Sequence, residues 1–277
     1  MRPTSASPDE LARFTDAALN RGALQPIATD QITTQDAGVP FVIKWMSSAT
    51  PRPHPSKPAR GGHHNPFLPP DPALTLGPLA PAHVVLLNKY PVMAHHLLIV
   101  TREFEAQTDP LGAGDFAALA AVMRTQGGLG FYNGGYVAGA SQPHKHVQWI
   151  PALPPMARVL PALLADPSVA LRFRHAFAPL NAGHWAPGDR GAALAACYRE
   201  CLARLDIAPD QAPLRPYNLL VTRGWMWLIP RRAEHWSGMS INALGFAGSL
   251  FIKSSAELPA LQAAGPLNAL RTVAEPA

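Results

Sequence analysis

Charge is scarce in this chain. Only 15% of its 277 residues are charged, against 48% hydrophobic ones. That balance excludes a self-repelling disordered polymer and fits a compact globular protein with a large core. Long apolar runs are also lacking, since none approaches the roughly 20 residues that cross a bilayer. The N-terminal MRPTSASPDELARF turns polar and acidic where a secretory leader needs an apolar centre, so a cytoplasmic protein with no membrane partner is expected. Cysteine is nearly absent. The two present, Cys197 and Cys201, stand on one helical face with Leu194, Leu202 and Leu205. With no Cys-x-x-Cys and no second ligand pair, they read as buried core thiols. Blocks of lysine or arginine are missing too, and the net charge of +5 comes from scattered arginines. A basic surface concentrates phosphates. Without aromatic–basic interleaving it suits phosphate-rich small molecules at least as well as DNA or RNA, and no nucleic-acid partner is expected.

What is present is patterned. Ser7-Pro8-Asp9-Glu10 has the form of a helix start with a capping box, followed by Leu11, Phe14 and Ala18 at helical spacing. Val39 to Trp45 reads as a short strand, and Ala49 to Pro72 as a long loop rich in proline, glycine and histidine. His83 to Asn88, Leu97 to Thr101, Leu129 to Tyr132 and His144 to Ile150 read as strands, with an amphipathic helix over Asp115 to Met123. A helix over Ala192 to Leu205 then precedes the strands YNLLVT and WMWLIP, joined by a tight Arg223-Gly224 turn. This echo of HVVLLN and HLLIVT suggests two related α+β halves, 1–155 and 156–277, packed as one unit around an extended sheet, with the histidine motif in the first alone. The last thirty residues carry no chemical signal.

The sharpest feature is His144-Lys145-His146-Val147-Gln148. In a strand, His144, His146 and Gln148 project from one face and Lys145, Val147 and Trp149 from the other. A neutral imidazole offers one nitrogen for attack at phosphorus while the other fixes the tautomer, and a glutamine amide can donate to phosphoryl oxygens. Alternatively, these are satisfied structural histidines or a stray metal site. The preceding Asn133 to Gln142 (NGGYVAGASQ) adds glycines that let backbone N–H groups approach a phosphate, plus neutral donors at Asn133, Ser141 and Gln142. A plain glycine-rich turn would explain less of this clustering.

GASQPHKHVQ with its upstream asparagine resembles the histidine-triad superfamily, and more closely its transferase branch, where glutamine replaces the third histidine. NPFLPP, LLNKYPVMAHHLLIVTREFEAQ, FYNGG and YNLLVT…WMWLIPR…SINALGFAGSLFIK are similar to the diadenosine tetraphosphate phosphorylase (ATP adenylyltransferase) family, from about Asn65 to Lys253 with a gap over Pro151 to Gly188. The resemblance implies an α+β fold related to galactose-1-phosphate uridylyltransferase, mainly antiparallel sheet flanked by helices. It implies a two-step phosphorolysis through a nucleotidyl-histidine, with dinucleoside polyphosphate, ATP, ADP and inorganic phosphate as ligands. By motif, His146 matches the nucleophile, Gln148 the replacing amide, with His144 beside them, and Asn133 with Gly139, Ala140, Ser141 and Gln142 the phosphate loop. Asn88-Lys89, Asn242-Ala243-Leu244, Ser249 and Lys253 match substrate contacts. Lys57 is the candidate for a lysine usually closer to Asn-Pro-Phe, with RGGHH intervening here.

Without the resemblance, Asn88-Lys89 is a strand-ending turn, Lys253 a surface charge, and at least one of His95 and His96 a backbone-bonding histidine. His54, His63 and His64 lack regular metal-ligand spacing. Magnesium is expected only with the substrate, because no carboxylate cluster announces a protein-held site. A monomer or a dimer is compatible with two fused halves. The rivals are uridylyl transfer, which lacks the metal-ligand cysteines common in that branch; dinucleoside polyphosphate hydrolysis, disfavoured by Gln148; and a non-catalytic nucleotide- or nucleic-acid-binding module.

Overall fold

The structure is a computed structural model that describes residues 6–47, 65–79, 82–210 and 212–277. Lys57, His54, His63 and His64 therefore lie outside the described residues. The strands in chain order are β1 (Thr29–Asp36), β2 (Val39–Met46), β3 (Thr75–Leu79), β4 (His83–Leu87), β5 (Leu97–Thr101), β6 (Leu129–Gly134), β7 (His146–Ile150), β8 (Ala176–Pro179), β9 (Tyr217–Val221), β10 (Trp225–Pro230), β11 (His235–Trp236), β12 (Met239–Ser240) and β13 (Ser249–Ile252). The helices are α1 (Pro8–Asn20), α2 (Ala113–Gln126), α3 (Pro155–Ala165), α4 (Ala192–Ala203), α5 (Ala243–Phe246), α6 (Leu258–Ala264) and α7 (Pro266–Val273). Ser7 caps α1 through the capping box read from the sequence.

Eight strands form one sheet in the order β3-β4-β5-β7-β6-β9-β10-β8, every neighbouring pair antiparallel. Strict alternation divides its side chains between two cores. Val85, Leu87, Ile99, Val147, Trp149, Leu219 and Met226 face one core, covered by α1, α2 and α4. Phe131, Ile150, Leu220, Trp227 and Ile229 face the other, beneath β2, β13, α3, α5, α6 and α7. That second cover lies over β6, β9 and β10. On β4 and β5 the same face carries Leu86 and Val100, packed against Phe67 of the Asn-Pro-Phe segment. The side chains of His146 and Gln148 project into the space between these two coverings, which is why the cavity forms there.

Several local expectations change. β7 begins at His146, and His144 forms an isolated bridge with Ala106. Pairing between β6 and β7 ends at Phe131 and Gln148, because the amide of Gln107 fills the following rung. The hairpin turn after β9 includes Thr222, whose hydroxyl accepts from the N–H groups of Gly224 and Trp225. The polar strand β1 pairs with β2, a parallel β2–β13 pairing completes a small sheet, and the C-terminal residues form two helices whose Leu267, Leu270 and Val273 are buried. Cys197 and Cys201 are free and buried. Among the described residues no helix is long and apolar enough to cross a membrane.

Candidate active site

Three polar side chains, His144 just before β7 and His146 and Gln148 on it, can be buried only if each finds partners. All three do. His144 is fully buried: its Nε2–H is shared between the carbonyl (2.8 Å) and hydroxyl (2.9 Å) oxygens of Thr101, and its Nδ1 accepts from Asn65 Nδ2 at 2.9 Å. Phe67 and Phe104 pack edge-on against its ring. His144, expected beside the nucleophile as a catalytic residue, lines neither of the two cavities described below and has both ring nitrogens engaged; it reaches His146 through its backbone carbonyl. That carbonyl lies 2.8 Å from His146 Nδ1 and takes its proton, leaving the Nε2 lone pair of His146 unshared. Burial pushes the His146 pKa down to about 4, against the raising effect of the His144 carbonyl, so the ring is neutral at pH 7. A neutral imidazole of fixed tautomer is what a nucleophile at phosphorus requires.

Gln148 is oriented by His96. Its Oε1 accepts from His96 Nε2 at 2.9 Å, and His96 Nδ1 accepts from Asn88 Nδ2 at 3.1 Å. Burial holds the His96 pKa down to about 4, so the chain Asn88 → His96 → Gln148 keeps one direction at neutral pH. With its oxygen occupied, Gln148 has its amide hydrogens left as donors. His146, Gln148, Asn88, Lys89, Ser141 and Gln142 together line a cavity of about 410 Å³, whose apolar wall includes Phe67, Leu74, Leu86 and Leu98. Polar donors at one end and an apolar wall at the other suit a nucleotide-sized ligand.

The backbone of the nucleophile is held by Gln107. Its Oε1 accepts the His146 N–H at 2.8 Å, and its Nε2 donates to the carbonyls of Asn133 (2.8 Å) and His146 (3.3 Å). Asn133 is a brace under the phosphate loop and lines neither cavity; its Oδ1 accepts from Asn218 Nδ2 and from the Ala243 N–H, each at 2.9 Å. Asn218 also donates to the Ala138 carbonyl and accepts from the buried guanidinium of Arg231 at 2.5 Å. Desolvation pushes the Arg231 pKa down to about 9, which leaves it charged at pH 7. Gly139 turns with φ +88°, and a Cβ there would lie 2.7 Å from Asn242 Cβ. The loop is thus seated on the C-terminal residues, and from that seat it presents Ser141 and Gln142 to the cavity. Ala140 follows as part of the same turn, its N–H bonded to the Gly135 carbonyl.

Asn242, Leu244, Ser249 and Lys253 line a second cavity of about 380 Å³. Ala243 does not line it, its N–H being spent on Asn133. One segment of chain runs past both cavities: Asn88 to Tyr90 border the first and Val92 and Met93 the second. The sequence reading assigned no role to Asn65, His96, Thr101, Gln107, Asn218 or Arg231, because each acts through a contact distant in the chain. His95 also departs from expectation: its Nδ1–H donates to the Thr15 hydroxyl at 3.0 Å rather than to backbone. Among the described residues no group of three His, Cys, Asp or Glu side chains could hold a metal ion.

The site is thus an antiparallel α+β sheet bearing a cavity-facing histidine with a glutamine two residues on. Residues 3–164 match the family model described as Ap4A phosphorylase N-terminal domain, and residues 169–276 that of the ATP adenylyltransferase C-terminal domain. The chain belongs to this Ap4A phosphorylase/ATP adenylyltransferase family. Among curated relatives, Protein APA1 of Saccharomyces cerevisiae is 28% identical over 274 residues, covering 86% of this chain and 84% of that one. Diadenosine 5',5'''-P1,P4-tetraphosphate phosphorylase 2 of the same yeast is 28% identical over 266 residues, covering 82% and 79%. The crystal structure of yeast Ap4A phosphorylase Apa2 in complex with Ap4A shares the fold, with a TM-score of 0.80 at 23% identity over 98% of both chains.

Proposed function

We propose that the chain catalyses phosphorolysis of diadenosine tetraphosphate through an adenylyl-histidine. His146 Nε2 attacks the α-phosphorus; the bond from that phosphorus to its bridging oxygen breaks, and ATP departs. AMP stays bonded to the imidazole, whose charge is eased by the Nδ1–H···O=C bond to His144. Inorganic phosphate then attacks the same phosphorus, releasing ADP and neutral His146. The leaving polyphosphate is a weak base, so the Gln148 amide is a sufficient donor and no histidine acid is required there. Lys89, Ser141 and Gln142 would stabilise charge on the phosphoryl oxygens, and Asn242, Ser249 and Lys253 would hold the remainder of the dinucleotide. Magnesium would arrive on the substrate's phosphates and leave with them.

The observation that carries this reading is His146 itself: neutral, its tautomer fixed, on the wall of a nucleotide-sized cavity. Two free buried thiols fit a reducing cytoplasm. The test is to incubate the protein with diadenosine tetraphosphate, with and without phosphate, and resolve the products. Phosphate-dependent ADP and ATP are expected, and His146→Ala should lose activity by at least about 1000-fold. ATP and AMP in the absence of phosphate would indicate a hydrolase, and full turnover by His146→Ala would sink the reading.

A further inference from the structure

We propose that Lys44, on β2, is a phosphate-binding residue of the second cavity, where it reads the charge of the polyphosphate beyond the bond broken at His146 and favours longer bridges over shorter ones. This rests on the phosphorolysis reading above. Lysine is rare here: five of the 23 basic residues are lysines, and arginine supplies the rest. Of the four lysines described, Lys145 is spent on Glu105 and the Pro110 carbonyl, while Lys89 lines the first cavity and Lys44 and Lys253 the second. A compact ammonium is thus placed at these walls in a chain that otherwise prefers the planar guanidinium.

The β2–β13 register brings the two second-cavity lysines together. Lys44 is the Cα partner of Phe251, Val42 that of Ser249, and Lys253 follows just past the end of β13, two residues beyond Phe251, both lysines lining the cavity. Strand geometry puts the Cα atoms of Lys44 and Lys253 about 8 Å apart, within reach of one pair of phosphates for two four-carbon arms. Among the described residues no acidic side chain lines this cavity. Among the described residues neither lysine has an ion-pair partner. Lys44 is half-buried, and burial pushes its pKa down, the condition of an ammonium that gains from an incoming anion. Asn88, Lys89 and Tyr90 line the cavity of His146 and Val92 and Met93 that of Lys44, so the polyphosphate would run along this one segment from the first cavity to the second.

Lys44→Gln and Lys44→Arg test the assignment in the full-length protein. For Lys44→Gln the KM for diadenosine tetraphosphate should rise about tenfold with kcat within about twofold, the loss of one charge-assisted contact. The KM for the triphosphate should rise less, and Lys44→Arg should recover most of the affinity. Exchange of labelled phosphate into ADP breaks and reforms the same bond at His146 without needing the second cavity, so its KM for ADP should hold. Calorimetric binding of inorganic tripolyphosphate should weaken about tenfold in Lys44→Gln, whether or not the protein turns over. Unchanged tripolyphosphate affinity, or equal losses in exchange and phosphorolysis, would overturn the role of Lys44. Wild-type protein that binds tripolyphosphate through Lys44 but shows neither exchange nor phosphorolysis would instead overturn the underlying reaction.

Discussion

His96 has no reaction chemistry to perform, yet the direction in which Gln148 points depends on it. Its Nε2–H holds the Gln148 oxygen, so the amide hydrogens remain for the phosphoryl group. Replacing His96 with leucine frees the amide to rotate and present its oxygen to an anion. The expected result is a fall in kcat of about 10–100-fold, with KM changed by less than about threefold, because the contact matters most as charge develops. Steady-state kinetics would separate this from a general packing defect, which would lower the active fraction and the melting temperature together. His96 and His146 also link folding to pH. Both have folded pKa values near 4, depressed by burial from 6.5. Between those values the unfolded chain binds protons that the folded one refuses. Their stabilising contribution is therefore complete above about pH 6.5 and is lost as pH falls towards 4, by roughly 3 kcal/mol for each ring. Urea unfolding at pH 7.5, 5.5 and 4.5 would show it, and His96→Leu should remove about half of that dependence. A flat profile over this range would mean that the rings are hydrated.

At the scale of elements, the loop from Gly135 to Gln142 works only if it keeps its seat on Asn242. Gly139→Ala puts a Cβ 2.7 Å from Asn242 Cβ and 3.0 Å from the Ile241 carbonyl, on a backbone at φ +88°. The left-handed backbone alone costs roughly 1–2 kcal/mol, and relief of the clash must move Ser141 and Gln142. A raised KM for the dinucleotide and a lowered melting temperature are expected together. Gly127→Ala is the control: its φ is +66° with nothing within 4 Å of the added Cβ, so stability should fall while KM holds. The sequence made the loop and β7 legible because their residues are neighbours in the chain and alternate regularly. It did not make Gln107 or Arg231 legible, since a glutamine that replaces a ladder rung and an arginine that ties β10 to the loop look like any surface polar residue until the strands pair. β1 escaped notice for a related reason: on a small outlying sheet, TDQITTQD buries little and shows no apolar alternation. α7 was obscured by composition, because alanine, leucine and proline carry no chemical signal although Leu270 and Val273 are buried.

The whole molecule depends on one seam. β6 pairs with β9 from Gly130–Val221 to Gly134–Tyr217, in the interior of the eight-stranded sheet, where the first part of the chain meets the second. Asn133 and Asn218 face each other across it and bond through their side chains, and Arg231 extends that network to the Val273 carbonyl near the C-terminus. Cutting the chain there would leave β6 as an edge with unpaired N–H and C=O groups. It would also strip Phe131 and Ile150 of the core they share with Trp227 and Phe246. Residues 1–165 produced alone should therefore aggregate or remain unfolded, and the full chain should unfold in one cooperative transition. Trp149 faces the core under α1, α2 and α4, whereas Trp227 faces the opposite one, so each reports a different layer. With the remaining tryptophans replaced by phenylalanine, variants keeping Trp149 or Trp227 alone should give fluorescence transitions at the same urea concentration, within the shift that the substitutions themselves cause. Separate midpoints within one variant, or a fragment with dispersed amide resonances, would show that the halves are independent units and that the Asn133–Asn218–Arg231 network only docks them. The active site would then be assembled by docking, because the loop that presents Ser141 and Gln142 rests on Asn242, which belongs to the other half.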